Sequence, residues 1–401
     1  MMTNMPKYSN YAKHWSLDPN IVFLNHGSFG ATPVEVLEKQ SEYRKLMEHE
    51  PVYYFMELMP ELYDKSKRSL SKFLGANQDD LVFVQNTTTG VNQVLNSFPA
   101  MPGDEWLVSS HAYGACRNAM EHYATKNNIR LQVAEIPFPF ENDEDILRAI
   151  EEKINKNTRL ALIDHISSAT GFIFPVKKII ELLHSKGVKV LLDGAHAPGM
   201  IDVNIPETGA DFYIGNCHKW LCAPKGSAFM YVKEEYRDMI KPLVISHFND
   251  TDLHGKSHWS NQFMWDGTHD FSQYFCVMEA IEFMNSIHPE GWKGIMKHNH
   301  RLAWKAACMI SEKTGFDLPV SEKYIGSMVT IPVPDGEEGF PKFNENPPLK
   351  RKLLEKYLIQ IPVFTFPDAP QQWIRISTQL YNSFEQYEYL GECLVKEFQC
   401  N

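Results

Sequence analysis

Seven short apolar runs recur between residues 81 and 232, and stretches with helical spacing separate several of them. The runs are LVFV (81–84), EWLVSS (105–110), RLQVAEI (130–136), RLALIDHI (159–166), VKVLLDG (188–194), DFYIGN (211–216) and SAFMYV (227–232). The intervening DEDILRAIEEKI and VKKIIELLHSKG place apolar residues three and four apart, as a helix with one buried face requires. Strands alternating with such helices predict an α/β fold with a mostly parallel, doubly wound sheet covered by helices on both faces. A chain of 401 residues is too long for one ordinary core, so a second unit is expected. The C-terminal part supplies it: a helical region over 273–314, VTIPV, the polar, Pro-rich VPDGEEGFPKFNENPP, then LKRKLLEKYLI, WIRIST and SFEQYEYLGECLVKEF. We therefore expect an N-terminal arm over 1–20, a large domain over 21–275 and a smaller α+β domain over 276–401.

The charge balance narrows the partners. With 39 basic against 50 acidic residues the formal charge is −11, which gives no electrostatic reason to expect nucleic acid binding. The N-terminus lacks the apolar stretch of a secretory signal, and no run reaches membrane-spanning length. The seven cysteines are odd in number, scattered, and include no CxxC pair, which predicts reduced thiols and a cytoplasmic location. His247, His254 and His258 match no common zinc spacing and are expected to be loop histidines without a metal.

Four segments carry the chemistry. In IGNCHKWLCAPKGSAFMYV a strand ends, a small loop presents His218 and Lys219, and a Pro/Gly turn leads to another strand. A sheltered lysine amine forms an imine with a carbonyl cofactor; alone, Lys219 is as readily a surface charge. VKVLLDGAHAPG ends an apolar strand on Asp193, where open α/β sheets place ligands. A carboxylate there keeps a pyridinium nitrogen protonated, or simply starts a turn. His196 either meets the ring's phenolic oxygen or finishes that turn. In LVFVQNTTTGVNQVLNSF, Thr87, Thr88 and Thr89 open a helix, as a phosphate site or an ordinary cap. Tyr113, in WLVSSHAYGACRN, follows a strand and suits stacking on a pyridine face.

FLNHGSFGATP (23–33), DGAHAPG (193–199) and CHKWLCAPKG (217–226) resemble pyridoxal-5′-phosphate (PLP) enzymes of fold type I in the class V aminotransferase group. The resemblance runs from Asn25 to RISTQLYN (375–382). It points to the branch of isopenicillin-N epimerase-like proteins, cysteine desulfhydrases and ergothioneine-pathway C–S lyases. It implies a seven-stranded sheet in the large domain and PLP bound through Lys219. Asp193 would partner the pyridine nitrogen and Tyr113 would occupy the stacking position, which in desulfurase relatives is usually His. His196 would lie near the phenolic oxygen, with Thr87–Thr89 and His218 on the phosphate. MWDGTHD (264–270) resembles the segment in which a threonine, here Thr268, reaches phosphate from a second subunit, so a homodimer with shared active sites is implied. Arg375 matches the family's substrate-carboxylate arginine, a role that suits a bidentate guanidinium, although a structural salt bridge is the alternative. Asn25 and Ser168 are further substrate-side candidates.

What such an enzyme does depends on the fate of the substrate once the α-proton has gone, usually to the freed lysine. Persulfide-forming desulfurases need a cysteine on a mobile C-terminal loop. No cysteine lies between Cys308 and Cys393, which disfavours that chemistry. The expected activity is a C–S lyase acting on cysteine or a cysteine conjugate by β-elimination, releasing pyruvate and ammonia. Epimerisation comes second and transamination third. A non-catalytic PLP-fold protein is disfavoured because Lys219, Asp193 and Arg375 are all present.

Overall fold

The computed structural model describes residues 5–249, 257–336 and 347–398. After a two-residue strand β1 (Val22–Phe23), the chain enters helices Val34–His49 and Met59–Phe73 and then the main sheet. Its strands are β2 (Leu81–Val84), β3 (Glu105–Ser109), β4 (Arg130–Ala134), β5 (Thr158–Asp164), β6 (Lys189–Asp193), β7 (Phe212–Asn216) and β8 (Ala228–Val232). Each falls on one of the seven apolar runs. The spatial order is β2-β8-β7-β6-β5-β3-β4. Only β8 runs against its neighbours; the others share one direction.

The strand sequences explain this placement. β2, β3, β7 and β8 are buried at every residue, as strands covered on both faces must be. The period of two is visible in β5: Leu160 and Leu162 join one core with Trp106, Met120 and Ile214, while Ala161 and Ile163 join the other. Helix Val176–Ser185 contributes Val176, Ile179, Ile180 and Leu183 to its buried side, spaced by a turn. Helix Asp143–Glu151 starts at a capping box in which the Asn142 side chain and Asp145 satisfy each other's backbone N–H groups.

The smaller α+β part contains an antiparallel sheet in which β12 (Gln372–Ser377) lies between β11 (Val363–Thr365) and β9 (Met328–Val333). Helices Gly291–Thr314, Pro348–Tyr357 and Phe384–Phe398 accompany it. The helical region expected over 273–314 is two helices, Ser272–Ile287 and Gly291–Thr314, and the first crosses the 275/276 boundary read from the sequence. β1 pairs in parallel with β10 (Ile359–Gln360), so the segment before the large sheet is tied to the C-terminal part. That tie brings Asn25–Gly30 over the end of the large sheet. Among the described residues no helix is long and apolar enough to cross a membrane.

Candidate active site

The segments that follow β2, β3, β5, β6 and β7 leave the sheet at its carboxyl edge and line one cleft, where open α/β sheets bind ligands. Thr87, Thr88, Tyr113, Ser168, Asp193, His196, His218 and Lys219 all face it. A more open groove lies elsewhere, lined by Lys72, Lys177, Asp202 and Asn204. Its buried titratable group, His165, is held 2.9 Å from the Tyr213 hydroxyl, and of its lysines Lys72 and Lys177 are exposed and the amine of Lys178 is raised, not lowered, by its hydrogen bond to Asp143. The chemistry belongs to the cleft.

Lys219 is held at both ends. Its Nζ lies 3.0 Å from Nε2 of His196, and its carbonyl lies 3.1 Å from Nε2 of His26. Two glycines press the loop into place. A Cβ on Gly30, whose φ is +70°, would sit 2.1 Å from the His218 carbonyl oxygen; one on Gly199 (φ +88°) would sit 2.5 Å from that of Trp220. Burial lowers the Lys219 amine to about 8, the neighbouring Arg375 pushes the same way, and Asp193 opposes them. An amine near 8 is nucleophilic at neutral pH to a degree that an exposed lysine is not.

Asp193 is buried, with Oδ1 accepting the Ala195 N–H at 2.9 Å and Oδ2 facing the Cys116 thiol at 3.4 Å. Strand pairing sets it directly beside Asp164 at the end of β5. Burial raises both carboxyls, and Asp164 is raised further by the charge of Asp193. The Ser109 hydroxyl donates to Asp164 at 3.3 Å. Asp164 also lines the cleft and was not singled out in the sequence, although RLALIDHI ends on an acid just as VKVLLDG does. Tyr113 is partly buried at the mouth of helix Gly114–Lys126, and burial raises its phenol.

The threonine segment divides. Asn86 caps helix Thr87–Ser97, accepting the N–H of Thr89 at 2.9 Å and its hydroxyl at 3.1 Å. Thr89 therefore turns its hydroxyl to the cap and lines a neighbouring cavity with Gln93, Asp266 and His269. Thr87 and Thr88 stay on the cleft. The Thr87 N–H donates to Asn216 at 3.0 Å, whereas its buried Oγ1 has no partner among the described residues. His218 donates from Nδ1 to the Ser227 carbonyl at 2.9 Å, and burial lowers it to about 4.

On the substrate side, Arg375 in β12 is buried, with 4% of its surface exposed. Nη1 donates to the Ser168 carbonyl, Nη2 lies 3.5 Å from the Ser28 hydroxyl, and Nε has no acceptor. No carboxylate pairs with it among the described residues, so the salt-bridge alternative has no support there. Asn25 is buried beneath this end and accepts the Ser28 hydroxyl at 2.6 Å. Thr268 is exposed in the bend after Met264 and does not line its own chain's cleft. His247 lies in a short helical turn, and His258 opens helix His258–Met264 with Nε2 2.8 Å from the Gln262 amide. His254 lies outside the described residues.

The donor set fits PLP: an orphaned hydroxyl at a helix N-terminus for phosphate, a buried carboxyl for the ring nitrogen and a depressed lysine for the aldehyde. The profile of the family "Aminotransferase class-V" matches residues 22–339. The chain belongs to the class-V aminotransferase family. Members similar to it include a probable chloroplastic L-cysteine desulfhydrase of Arabidopsis thaliana, 30% identical over 98% of this chain and 86% of that protein. The hercynylcysteine sulfoxide lyase of Schizosaccharomyces pombe is 30% identical over 80% of this chain and 82% of its own length. The isopenicillin N epimerase of Streptomyces clavuligerus is 27% identical over 94% and 95%. Among solved structures, a cysteine desulfurase from Thermococcus onnurineus NA1 superposes with a TM-score of 0.81 at 21% identity, covering 99% of this chain and 100% of that one. This class-V enzyme is thus a PLP-dependent fold-type I protein, with the large sheet domain and smaller α+β domain of that architecture.

Proposed function

We propose that this enzyme is a C–S lyase that removes the β-sulfur substituent of cysteine or a cysteine conjugate, giving pyruvate and ammonia. The observation that carries the reading is the depressed Lys219 amine in the cleft with the buried guanidinium of Arg375 close behind its wall, against Ser28 and Ser168, and with no carboxylate partner among the described residues. Arg375 would take the α-carboxylate and Lys219 the α-proton. Bound PLP supplies the electron sink that lets the sulfur leave. Lys219 would anchor it, with Asp193 at the ring nitrogen, Thr87, Thr88 and His218 at the phosphate, and Tyr113 over the ring. Elimination needs no protein thiol, and no cysteine among the described residues lines the cleft; Cys116, whose thiol contacts Asp193, is raised by burial well above its ordinary value. That thiol is protonated and unsuited to accept a persulfide.

Epimerisation is the second reading. It is favoured by the Tyr113 phenol, a protonated acid in the same cleft. A panel of L-cysteine, cysteine sulfoxide conjugates and D- and L-amino acids, scored for pyruvate and for α-proton exchange, separates the two. Pyruvate supports the lyase, and exchange with inversion but no pyruvate overturns it. We also infer a cytoplasmic homodimer in which Thr268 reaches the partner's cleft. The exposed Phe29 at the cleft mouth (75%), Val52 (74%), Met56 (70%) and Ile245 (60%) supply apolar surface for it. Light scattering tests that assembly.

A further inference from the structure

Two histidines bracket Lys219, and the protons of both are fixed by their second neighbours. His26 is fully buried; Nδ1 lies 2.9 Å from the Tyr381 hydroxyl and Nε2 3.1 Å from the Lys219 carbonyl. A carbonyl only accepts, so Nε2 of His26 carries the proton and Nδ1 accepts from the tyrosine. His196 is buried and touched on Nδ1 by the indole Nε1 of Trp220 at 3.3 Å. An indole N–H only donates, so Nδ1 of His196 has to accept. The remaining nitrogen, Nε2, then bears the proton and points at Nζ of Lys219, 3.0 Å away. An ammonium has three donors and no acceptor, so it cannot satisfy that N–H; a neutral amine can. Trp220 cannot readily turn away: it is fully buried, its carbonyl abuts Gly199, and the His26 ring packs on its indole with centroids 4.8 Å apart.

We propose that Trp220 is a positioning residue for Lys219: by occupying Nδ1 of His196 it locks that imidazole as the Nε2–H tautomer, which holds the lysine as the free amine ready to capture the cofactor. The inference rests on the assignment of Lys219 as the anchoring lysine, but not on the identity of the substrate. The other groups that act on Lys219 are Asp193 from the end of β6, which favours the ammonium, Cys116 from helix Gly114–Lys126, which does the same, and Arg375 from β12, which opposes it. His218 and His26 bear on His196 with Lys219 and Arg375, and all of these disfavour its cation. None of them contacts Nδ1 of His196, so the tautomer is left to Trp220.

The test uses the full chain with histidine labelled in both ring nitrogens, His196→Gln to assign the resonance, and Trp220→Phe. In the wild-type protein at neutral pH, His196 should show a proton on Nε2 and none on Nδ1. In Trp220→Phe the Nδ1–H form should appear. The pH midpoint for covalent capture of PLP by cofactor-stripped protein should then rise by about one unit, a tenfold slower capture at a fixed pH below it. The results count only if the circular dichroism of Trp220→Phe and of His196→Gln, used for the assignment, matches wild type. A wild-type His196 carrying its proton on Nδ1 overturns the proposal. So does a natively folded Trp220→Phe whose tautomer and midpoint are both unchanged. If Lys219 proves not to capture PLP at all, the anchoring assignment fails instead, and the wild-type tautomer still reports on Trp220 separately.

Discussion

Arg375 is a position where stability and activity should move in opposite directions when the guanidinium is replaced. It is a buried cation whose contacts among the described residues are one carbonyl and one distant hydroxyl, with Nε unpaired. Burial pulls its pKa from 12.5 to about 10. Keeping it charged at pH 7 therefore costs the native state on the order of 3 kcal/mol, part of which its packing and hydrogen bonds offset. Arg375→Met keeps most of the side-chain volume and removes the charge, so its Tm should be unchanged or higher. Binding should respond the other way. Removing one partner of a buried charge pair costs about 2–5 kcal/mol, or roughly thirty- to several-thousand-fold in kcat/KM for L-cysteine. Arg375→Lys should recover only part, because an ammonium cannot make the two parallel hydrogen bonds of a guanidinium. Cysteamine has the amine and thiol but no carboxylate, and its binding, read from the change in cofactor absorbance, should be nearly indifferent to both substitutions. A variant that melts several degrees lower while its KM for L-cysteine is unchanged would refute the reasoning and make Arg375 structural.

Thr87→Val should weaken PLP binding about ten- to hundredfold by equilibrium dialysis, since a hydrogen bond to a charged group contributes about 1.5–3 kcal/mol. Melting of the cofactor-free variant should be unaffected or slightly raised, because the buried Oγ1 has no partner to lose; a lower Tm with normal PLP affinity would count against the phosphate role. Burial lowers His26 to about 3, and His111 and His165 to about 4. The unfolded chain protonates them near 6.5, so it binds more protons below that pH and stability falls as the pH drops towards 4. Each of the three should cost about 2 kcal/mol between pH 6.5 and 5, and a urea midpoint that stays flat over that interval would contradict it.

The sheet was legible because its strands are buried on both faces. LVFV, EWLVS and AFMYV can hardly be anything but covered strands, and all seven runs fall in the sheet. Helix Val34–His49 was not foreseen because only Val36 and Gln40 on it are buried, too little to imprint a periodicity. Lys219, Asp193, His196, His218 and Tyr113 could be read because each stands at or just past a strand end, and the structure gathers them. Asp164 was missed for want of pairing: its importance comes from lying beside Asp193 in the sheet, a register that no local pattern states. Thr89 shows the competition between local and distant partners, its hydroxyl going to Asn86 within its own turn. His26 and Trp220 act on Lys219 from segments far apart in sequence or through a partner's proton, so residue spacing carries no trace of them.

The central claim is that Lys219 is the amine that holds the cofactor. Reduction of the PLP-loaded protein with borohydride, followed by proteolysis and mass spectrometry, tests it most directly. A pyridoxyl-phosphate mass on Lys219, absent from Lys219→Ala, is the predicted result; the same mass on another lysine, or unchanged labelling in Lys219→Ala, would contradict it.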